Sequence, residues 1–264
     1  MIHLIGKSSH NEITLNYDLA WQSMRQRISE TLDFFYPRYC EACRRPVDRP
    51  GRHFCSDCLN RLPFTPTDGC CRRCGRAAEK LDGEFLCEDC RTYRPSFDRA
   101  ASALSFEGDA RDAVNAFKFH KHLWLRNDLV DWMEAVARAR FKVGEIDVVV
   151  AMPSTLLNRL DRGYNQCAYL ARALAKRLEK PYVPFALRRK GNPRKQGRLT
   201  EEERRTNVIG TFGVLRPRAV AGKTVMVVDD IMTTGSTLSE CAAELKRSGA
   251  AKVWCVTLAR SHRS

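Results

Sequence analysis

Lys223-Thr-Val-Met-Val-Val-Asp229-Asp230-Ile-Met-Thr-Thr-Gly235-Ser-Thr237 is the stretch from which the fold is read. Thr224 to Val228 is a short, β-branched, apolar run between Gly222 and two acids. That is the pattern of a strand buried on both faces of a parallel sheet. Asp229 and Asp230 are expected where this strand ends, with a turn of small hydroxyl residues around Gly235 after them. Beyond the turn Leu238, Cys241, Ala242 and Leu245 recur at helical spacing, and Gly249 is a natural stop. A strand, a hydroxyl-rich turn and a helix N-terminus make an anion site, because N–H groups, hydroxyls and the helix dipole all favour negative charge. Two carboxylates beside it repel a bare phosphate. They suit a ligand that also brings hydroxyls or a divalent cation, such as a sugar phosphate with a free diol. The plainer alternative is a buried strand and a polar loop that happens to hold two acids.

Val225 to Thr237 resembles the phosphoribosyl pyrophosphate (PRPP) signature of type I phosphoribosyltransferases: four apolar residues, an acidic pair, then a Thr/Gly/Ser loop. The resemblance implies an α/β fold, a type I phosphoribosyltransferase-like parallel sheet flanked by helices. It further implies that Asp229 and Asp230 hold the ribose 2′- and 3′-hydroxyls and are the catalytic pair of any transfer. Thr233, Thr234, Gly235, Ser236 and Thr237 would cradle the 5′-phosphate, and Mg would enter with PRPP.

The chain has 264 residues, room for one full α/β domain and a small second one. Its formal net charge of +14 favours polyanionic partners, namely nucleic acid, anionic lipid or a highly phosphorylated ligand, without choosing among them. A merely basic soluble protein is the other reading. Met1 to Asn16 has no apolar core of the kind a signal peptide needs, and no window reaches the length of a transmembrane segment. The cytoplasm is therefore the expected location, and there twelve cysteines point to metal rather than to disulfides.

Eight of those cysteines form four Cys-x-x-Cys knuckles: Cys40 with Cys43, Cys55 with Cys58, Cys71 with Cys74, and Cys87 with Cys90. Two knuckles complete the tetrahedral sulfur shell that structural zinc prefers. Turn residues between them (Pro46, Pro50 and Gly51, then Asp82 and Gly83) give each pair the form of a ribbon hairpin. So few apolar side chains cannot hold such a segment, so metal binding is also folding free energy. The expectation is a small amino-terminal cysteine-rich zinc-ribbon domain with two four-cysteine Zn sites and Cys70 to spare. An interleaved pairing of the knuckles, or a redox role for one pair, are the alternatives. Arg44, Arg45, Arg49, Arg52, Arg72, Arg73 and Arg76 lie on or near these turns, where phosphates could meet them.

Leu19, Trp21, Met24, Ile28, Leu32 and Phe35 suggest an amphipathic helix before the ribbons. After the Arg91–Ser96 linker come a strand over Phe97–Phe106, helices from Ala110 and Leu123, and a strand over Ile146–Met152. Between the two helices Lys118-Phe-His-Lys-His122 reads as a basic loop near the substrate or simply a solvated one. A last strand, Lys252–Leu258, precedes a basic tail from Ala259. The division expected is 1–36 as an extension, 37–93 as a double zinc ribbon and 97–264 as a phosphoribosyltransferase-like domain.

At Arg162-Gly-Tyr-Asn-Gln166 the resemblance narrows to the competence-protein ComF family, whose members join a cysteine ribbon to a phosphoribosyltransferase-like domain. Many members carry Pro-Val-Pro and then Leu-His where this chain has Ala151-Met-Pro153 and Ser154-Thr155, so any role for that histidine is absent. Gln196 to Asn207 is similar to the family's Gln-x-x-Leu-Ser/Thr-x-x-x-Arg-x-x-Asn, within an arginine-rich lid. Arg162, Arg198 and Arg204 are the candidate pyrophosphate contacts. The resemblance implies a PRPP-binding protein acting in DNA uptake or utilisation, with other DNA-uptake proteins as partners. The alternative is a non-enzymatic single-stranded DNA-handling protein with a vestigial PRPP pocket.

Overall fold

A computed structural model describes residue 24 and residues 38–77, 85–155, 163–190 and 210–261. The expected helix in 1–36 (Met24 apart), the part of the lid over 196–207, and Arg162, Arg198 and Arg204 lie outside the described residues. The chain divides into two compact units, 1–61 and 62–264. The segment expected as one ribbon module, 37–93, is thus shared: the first cysteine set falls in the smaller unit and the second in the larger.

In the smaller unit a tight turn closes the first knuckle. Cys40 N–H bonds Arg45 O at 2.8 Å, Arg44 N–H bonds Cys40 O at 2.9 Å, and Glu41 N–H reaches His53 O at 2.8 Å. Helix α1, Ser56–Arg61, then carries Cys58 inward. The larger unit repeats this pattern. Cys71 N–H bonds Arg76 O at 2.8 Å, Gly75 N–H bonds Cys71 O at 2.9 Å, and Arg72 N–H reaches Phe85 O at 2.8 Å, ahead of α2, Glu88–Tyr93. Both turns need a left-handed residue. The first uses Arg44 at φ 59° and the second Gly75 at φ 70°, where a Cβ would sit 2.6 Å from Ala100 O. The second knuckle therefore lies directly on the next strand, and Ala100 N–H bonds Arg73 O at 2.6 Å.

That strand is β1, Arg99–Ser105. Helix α3, Gly108–Phe119, follows, then a 3-10 turn at Leu123–Leu125 and α4, Arg126–Arg140. Strand β2, Val148–Ala151, and helix α5, Gln166–Arg177, come next. A two-stranded antiparallel ribbon, β3 (Leu187–Arg189) with β4 (Phe212–Val214), precedes the four-residue helix α6, Pro217–Val220. Strand β5 (Thr224–Met232), helix α7 (Ser236–Arg247) and strand β6 (Lys252–Arg260) complete the described chain. The main sheet has the order β1-β6-β5-β2 and every neighbouring pair is parallel.

Two expectations are corrected. Strand β5 does not stop before its acids: Asp229 pairs with Thr257, Ile231 with Ala259 and Met232 with Arg260. The ladder continues because β6 runs on beside it, and for the same reason Ala259 and Arg260 belong to β6 rather than to a basic tail. On one side of the sheet Val225, Val227, Val253 and Cys255 pack with Leu238, Cys241, Ala242 and Leu245 of α7, in the same cluster as Cys71, Cys74, Cys87 and Cys90. Each such Leu contributes about 1.5–3 kcal/mol of burial.

Candidate functional site

Strand β5 delivers Asp229 and Asp230 to the carboxyl end of the parallel sheet, where open α/β folds place their ligands. Both acids are buried. Residues 233–235 turn into α7, whose N-cap is Gly235 at φ 81°. Thr234 and Ser236 hydroxyls lie 2.6 Å apart, and Ser236 N–H bonds Thr234 Oγ1 at 3.3 Å. The turn thus brings hydroxyls and the first N–H groups of a twelve-residue helix to one place.

The acids are held by residues from three other elements. Lys118, in the last turn of α3, places Nζ 2.8 Å from Asp230 Oδ2. Gln166, the first residue of α5, donates from Nε2 to the same oxygen at 2.8 Å, and Asp230 Oδ1 accepts Ile231 N–H at 2.7 Å. Cys167 Sγ donates to Asp229 Oδ1 at 3.3 Å, which also accepts Asp230 N–H at 2.9 Å.

Burial opposes charge on all of these groups, and their partners separate them. At Asp230 the Lys118 ammonium, with Gln166 and Ile231 N–H, outweighs burial and holds the carboxyl below its usual range. At Asp229 burial, then the charge of Asp230, pushes the carboxyl up to about 6. Burial also works against the Lys118 ammonium, but Asp230 and then Asp229 raise its pKa. The Cys167 thiol is pushed well up by burial and then by both acids, so it remains a neutral donor. The result is one firmly ionised acid, neutralised by a lysine, beside one that titrates near neutrality.

The Arg-Gly-Tyr-Asn-Gln stretch has a local function at each described position. Gly163 takes φ 80°, Tyr164 OH bonds Phe117 O at 2.8 Å beside Lys118, and Asn165 caps α5 by accepting Cys167 N–H at 3.0 Å. Asn165 Nδ2 also ties the cap to Met152 O at 3.1 Å, the residue just past β2. Gln166 Oε1 and Ser154 Oγ are buried without a hydrogen-bond partner. Such orphans are uncommon in native interiors and mark places where another group belongs.

The sequence suggests a basic loop for Lys118; the structure puts it in the last turn of α3 and turns it onto Asp230. His122 instead stacks on Trp124 with ring centroids 4.3 Å apart. Cys167 and Arg260 were not singled out at all. Arg260 is 2% exposed, and its Nη1 donates to Cys74 O at 2.7 Å.

The cysteines gather as two sets, Cys40, Cys43, Cys55 and Cys58, and Cys71, Cys74, Cys87 and Cys90, with the sulfurs of each set within 4.8 Å of one another. Cys43 and Cys55 sulfurs are 3.7 Å apart, as are those of Cys74 and Cys87. A tetrahedral zinc site with bonds of about 2.3 Å has sulfur–sulfur edges of about 3.8 Å, so both sets fit zinc. In the first, Cys55 N–H and Arg61 Nη2 donate to the Cys40 and Cys58 sulfurs at 3.4 and 3.1 Å, the kind of outer contact that steadies a thiolate. Cys70 stands apart, with Sγ 3.0 Å from Pro66 O.

Two family models match the chain, a double zinc ribbon domain over residues 31–91 and a phosphoribosyl transferase domain over residues 164–264. Competence protein F of Haemophilus influenzae is 24% identical over 87% of this chain and 100% of its own length. DNA utilization protein YhgH of Escherichia coli is 28% identical over 83% of this chain and 96% of its own. Competence protein ComFC of Bacillus subtilis is 25% identical, with 85% of each chain covered.

Proposed function

Because the chain belongs to the competence-protein ComF family, we propose that it binds PRPP with Mg²⁺ and acts in DNA uptake or utilisation. One observation carries the reading: the buried pair Asp229 and Asp230 stands near the end of β5, two residues before the hydroxyl turn at the N-terminus of α7. The turn would receive the 5′-phosphate and the acids the ribose diol. Lys118 removes one of two negative charges next to an anion site, which reduces repulsion of the phosphate. Gln166 Oε1, buried and without a partner while Nε2 is on Asp230, offers an acceptor for a ribose hydroxyl.

The donor set bears on how magnesium would be held. Cys167, Asp229 and Asp230 lie together, but a thiol is a soft ligand that Mg²⁺ avoids, and Lys118 already occupies Asp230. The residues therefore fit a Mg²⁺ that enters on the pyrophosphate with its waters rather than one held in a protein cage. Bound in that way it would neutralise charge on the pyrophosphate. The protein's own contribution is to fix the ribose and keep the site dry. Arg162, Arg198 and Arg204 remain the proposed pyrophosphate contacts, carried over from the family motifs. The test is calorimetric titration of PRPP with Mg²⁺ into the parent chain and into Asp229→Asn/Asp230→Asn. Saturable binding lost in the variant supports the reading, and no binding at millimolar PRPP defeats it.

A second reading is that the pocket is vestigial and the chain handles single-stranded DNA. It is favoured by the occupation of both Asp230 oxygens and by the formal net charge of +14. Fluorescence polarisation with a single-stranded oligonucleotide at low salt tests it, since electrostatic binding is strongest there. Absence of binding under those conditions removes it.

A further inference from the structure

Resting on the ribose-phosphate reading of the turn, we propose that the second cysteine set is its support, and that Arg260 is the positioning residue joining them. Closing Cys71, Cys74, Cys87 and Cys90 on a metal then raises affinity for the sugar phosphate, and closing the first set does not.

Two connections lead from the cysteines to the turn. The first passes through Arg260, the last residue of β6. Its Nη1 bonds Cys74 O at 2.7 Å and lies 3.6 Å from Met232 Sδ. Met232 pairs with Arg260 in register and is the last residue of β5 before the turn. Its methyl group fills the space under Gly235, where a Cβ would come within 2.6 Å of it. The second passes through α2, which begins beside Cys87 and carries Cys90. Beyond it Ser96 N–H bonds Ser239 Oγ at 3.0 Å, in the first turn of α7. Phe97 lies 3.5 Å from the same Gly235 position.

Beside these connections is a cavity of about 200 Å³, lined by Cys74, Cys90 and Tyr93 together with Thr234, Gly235 and Arg260. Residues of the turn and of the cysteine site thus line one space. Arg260 Nε is buried there without a hydrogen-bond partner.

Without a metal the four sulfurs have no common partner to hold the two knuckles together. Opening them frees Cys74 O and Ser96 N–H, and leaves a buried guanidinium with still fewer partners under the turn. The first set belongs to the other compact unit and has no part in these connections. Linkage makes the effect reciprocal: whatever factor the closed second set adds to PRPP affinity, PRPP adds to metal retention at that set.

The test uses the full chain and three variants, Cys87→Ser/Cys90→Ser, Cys55→Ser/Cys58→Ser and Arg260→Met. Zinc content, PRPP affinity with Mg²⁺ and hydrogen exchange of peptides covering Met232–Ser239 are measured on each. The second-set variant should lose one zinc, bind PRPP about 5- to 150-fold more weakly, the usual span of coupled sites, and exchange faster over Met232–Ser239. Arg260→Met should keep both zincs and show the same faster exchange. The first-set variant should lose one zinc and match the parent in the other two readouts. Parental exchange over Met232–Ser239 in both the second-set variant and Arg260→Met overturns the proposal, as does equal loosening in the first-set variant. A parent chain that ignores PRPP defeats the ribose-phosphate reading instead, and the exchange data still decide this one.

Discussion

Lys118 Nζ lies 2.8 Å from Asp230 Oδ2 in a buried contact, whereas Asp229, the next residue back, is met by the neutral Cys167 thiol and the Asp230 N–H. Two adjacent carboxylates on one strand therefore titrate in different ranges: burial and the charge of Asp230 push Asp229 up to about 6, while Lys118 holds Asp230 below the usual carboxylate range.

Removing that lysine strands a buried charge. Lys118→Met should cost about 3–5 kcal/mol, since Asp230 loses its counterion without gaining water. The double variant Lys118→Met/Asp230→Asn should regain most of the loss. Urea unfolding of the four proteins in the cycle measures this, and full additivity of the two changes would contradict the pairing.

The acids respond to pH in opposite directions. Asp229 has a folded pKa of about 6 against an ordinary 3.8, so the folded chain holds the extra proton and its stability falls as pH rises across that window. Asp230 is depressed, so its contribution is present at neutral pH and is lost on acidification. Asp229→Asn should accordingly stabilise the ligand-free chain by about 1–3 kcal/mol at pH 7.5 and flatten the slope of stability between pH 4 and 6. Because a diol needs the carboxylate, PRPP affinity of the parent should rise with pH through about 6. Melting curves and titrations across pH 5–8 check both.

Gly235 caps α7 at φ 81°, and its missing side chain leaves room for the Met232 methyl. Gly235→Ala should cost about 1–2 kcal/mol from the left-handed backbone alone, with Met232 displaced in addition. PRPP binding should fall with it. A melting temperature equal to that of the parent would show that the turn has another conformation available.

Metal should be present at two zinc per chain, measured by mass spectrometry under native conditions. A strong chelator should release both and abolish cooperative unfolding of the ribbon segments, because binding and folding are one process there. One zinc per chain would mean that one of the two sets closes without metal.

The nucleus of the fold was legible because Thr224–Val228 and the Leu238–Leu245 spacing are local signals: an apolar run and a helical period. The knuckles were legible because ligand spacing is local too. Long-range register was not. Asp229 and Asp230 lie within β5 because β6 keeps pace beside it, and no residue near the acids announces that. Arg260 read as the start of a basic tail, since a cation after an apolar strand is normally solvated; its burial depends on a carbonyl 186 residues earlier in the chain. Lys118 was visible only as part of a basic loop. The available hint was its position directly after Phe117, at the end of a helix whose inner face holds Ala113, Val114 and Phe117.

The outer edge of β1 is covered by chain that precedes it. Thr65 N–H bonds Ala103 O at 2.9 Å, Ser105 N–H bonds Pro63 O at 2.8 Å, and Ala100 N–H bonds Arg73 O at 2.6 Å. A shortened protein beginning at Ser96, the natural place to cut on reading the linker, would leave those strand groups open along seven residues and bare the apolar face under the second cysteine set. Open, unpaired strands of that kind recruit one another. Recombinant production of the carboxyl-terminal α/β domain by itself should therefore yield aggregates when started at Ser96, and dispersed protein when started at Leu62 with zinc supplied.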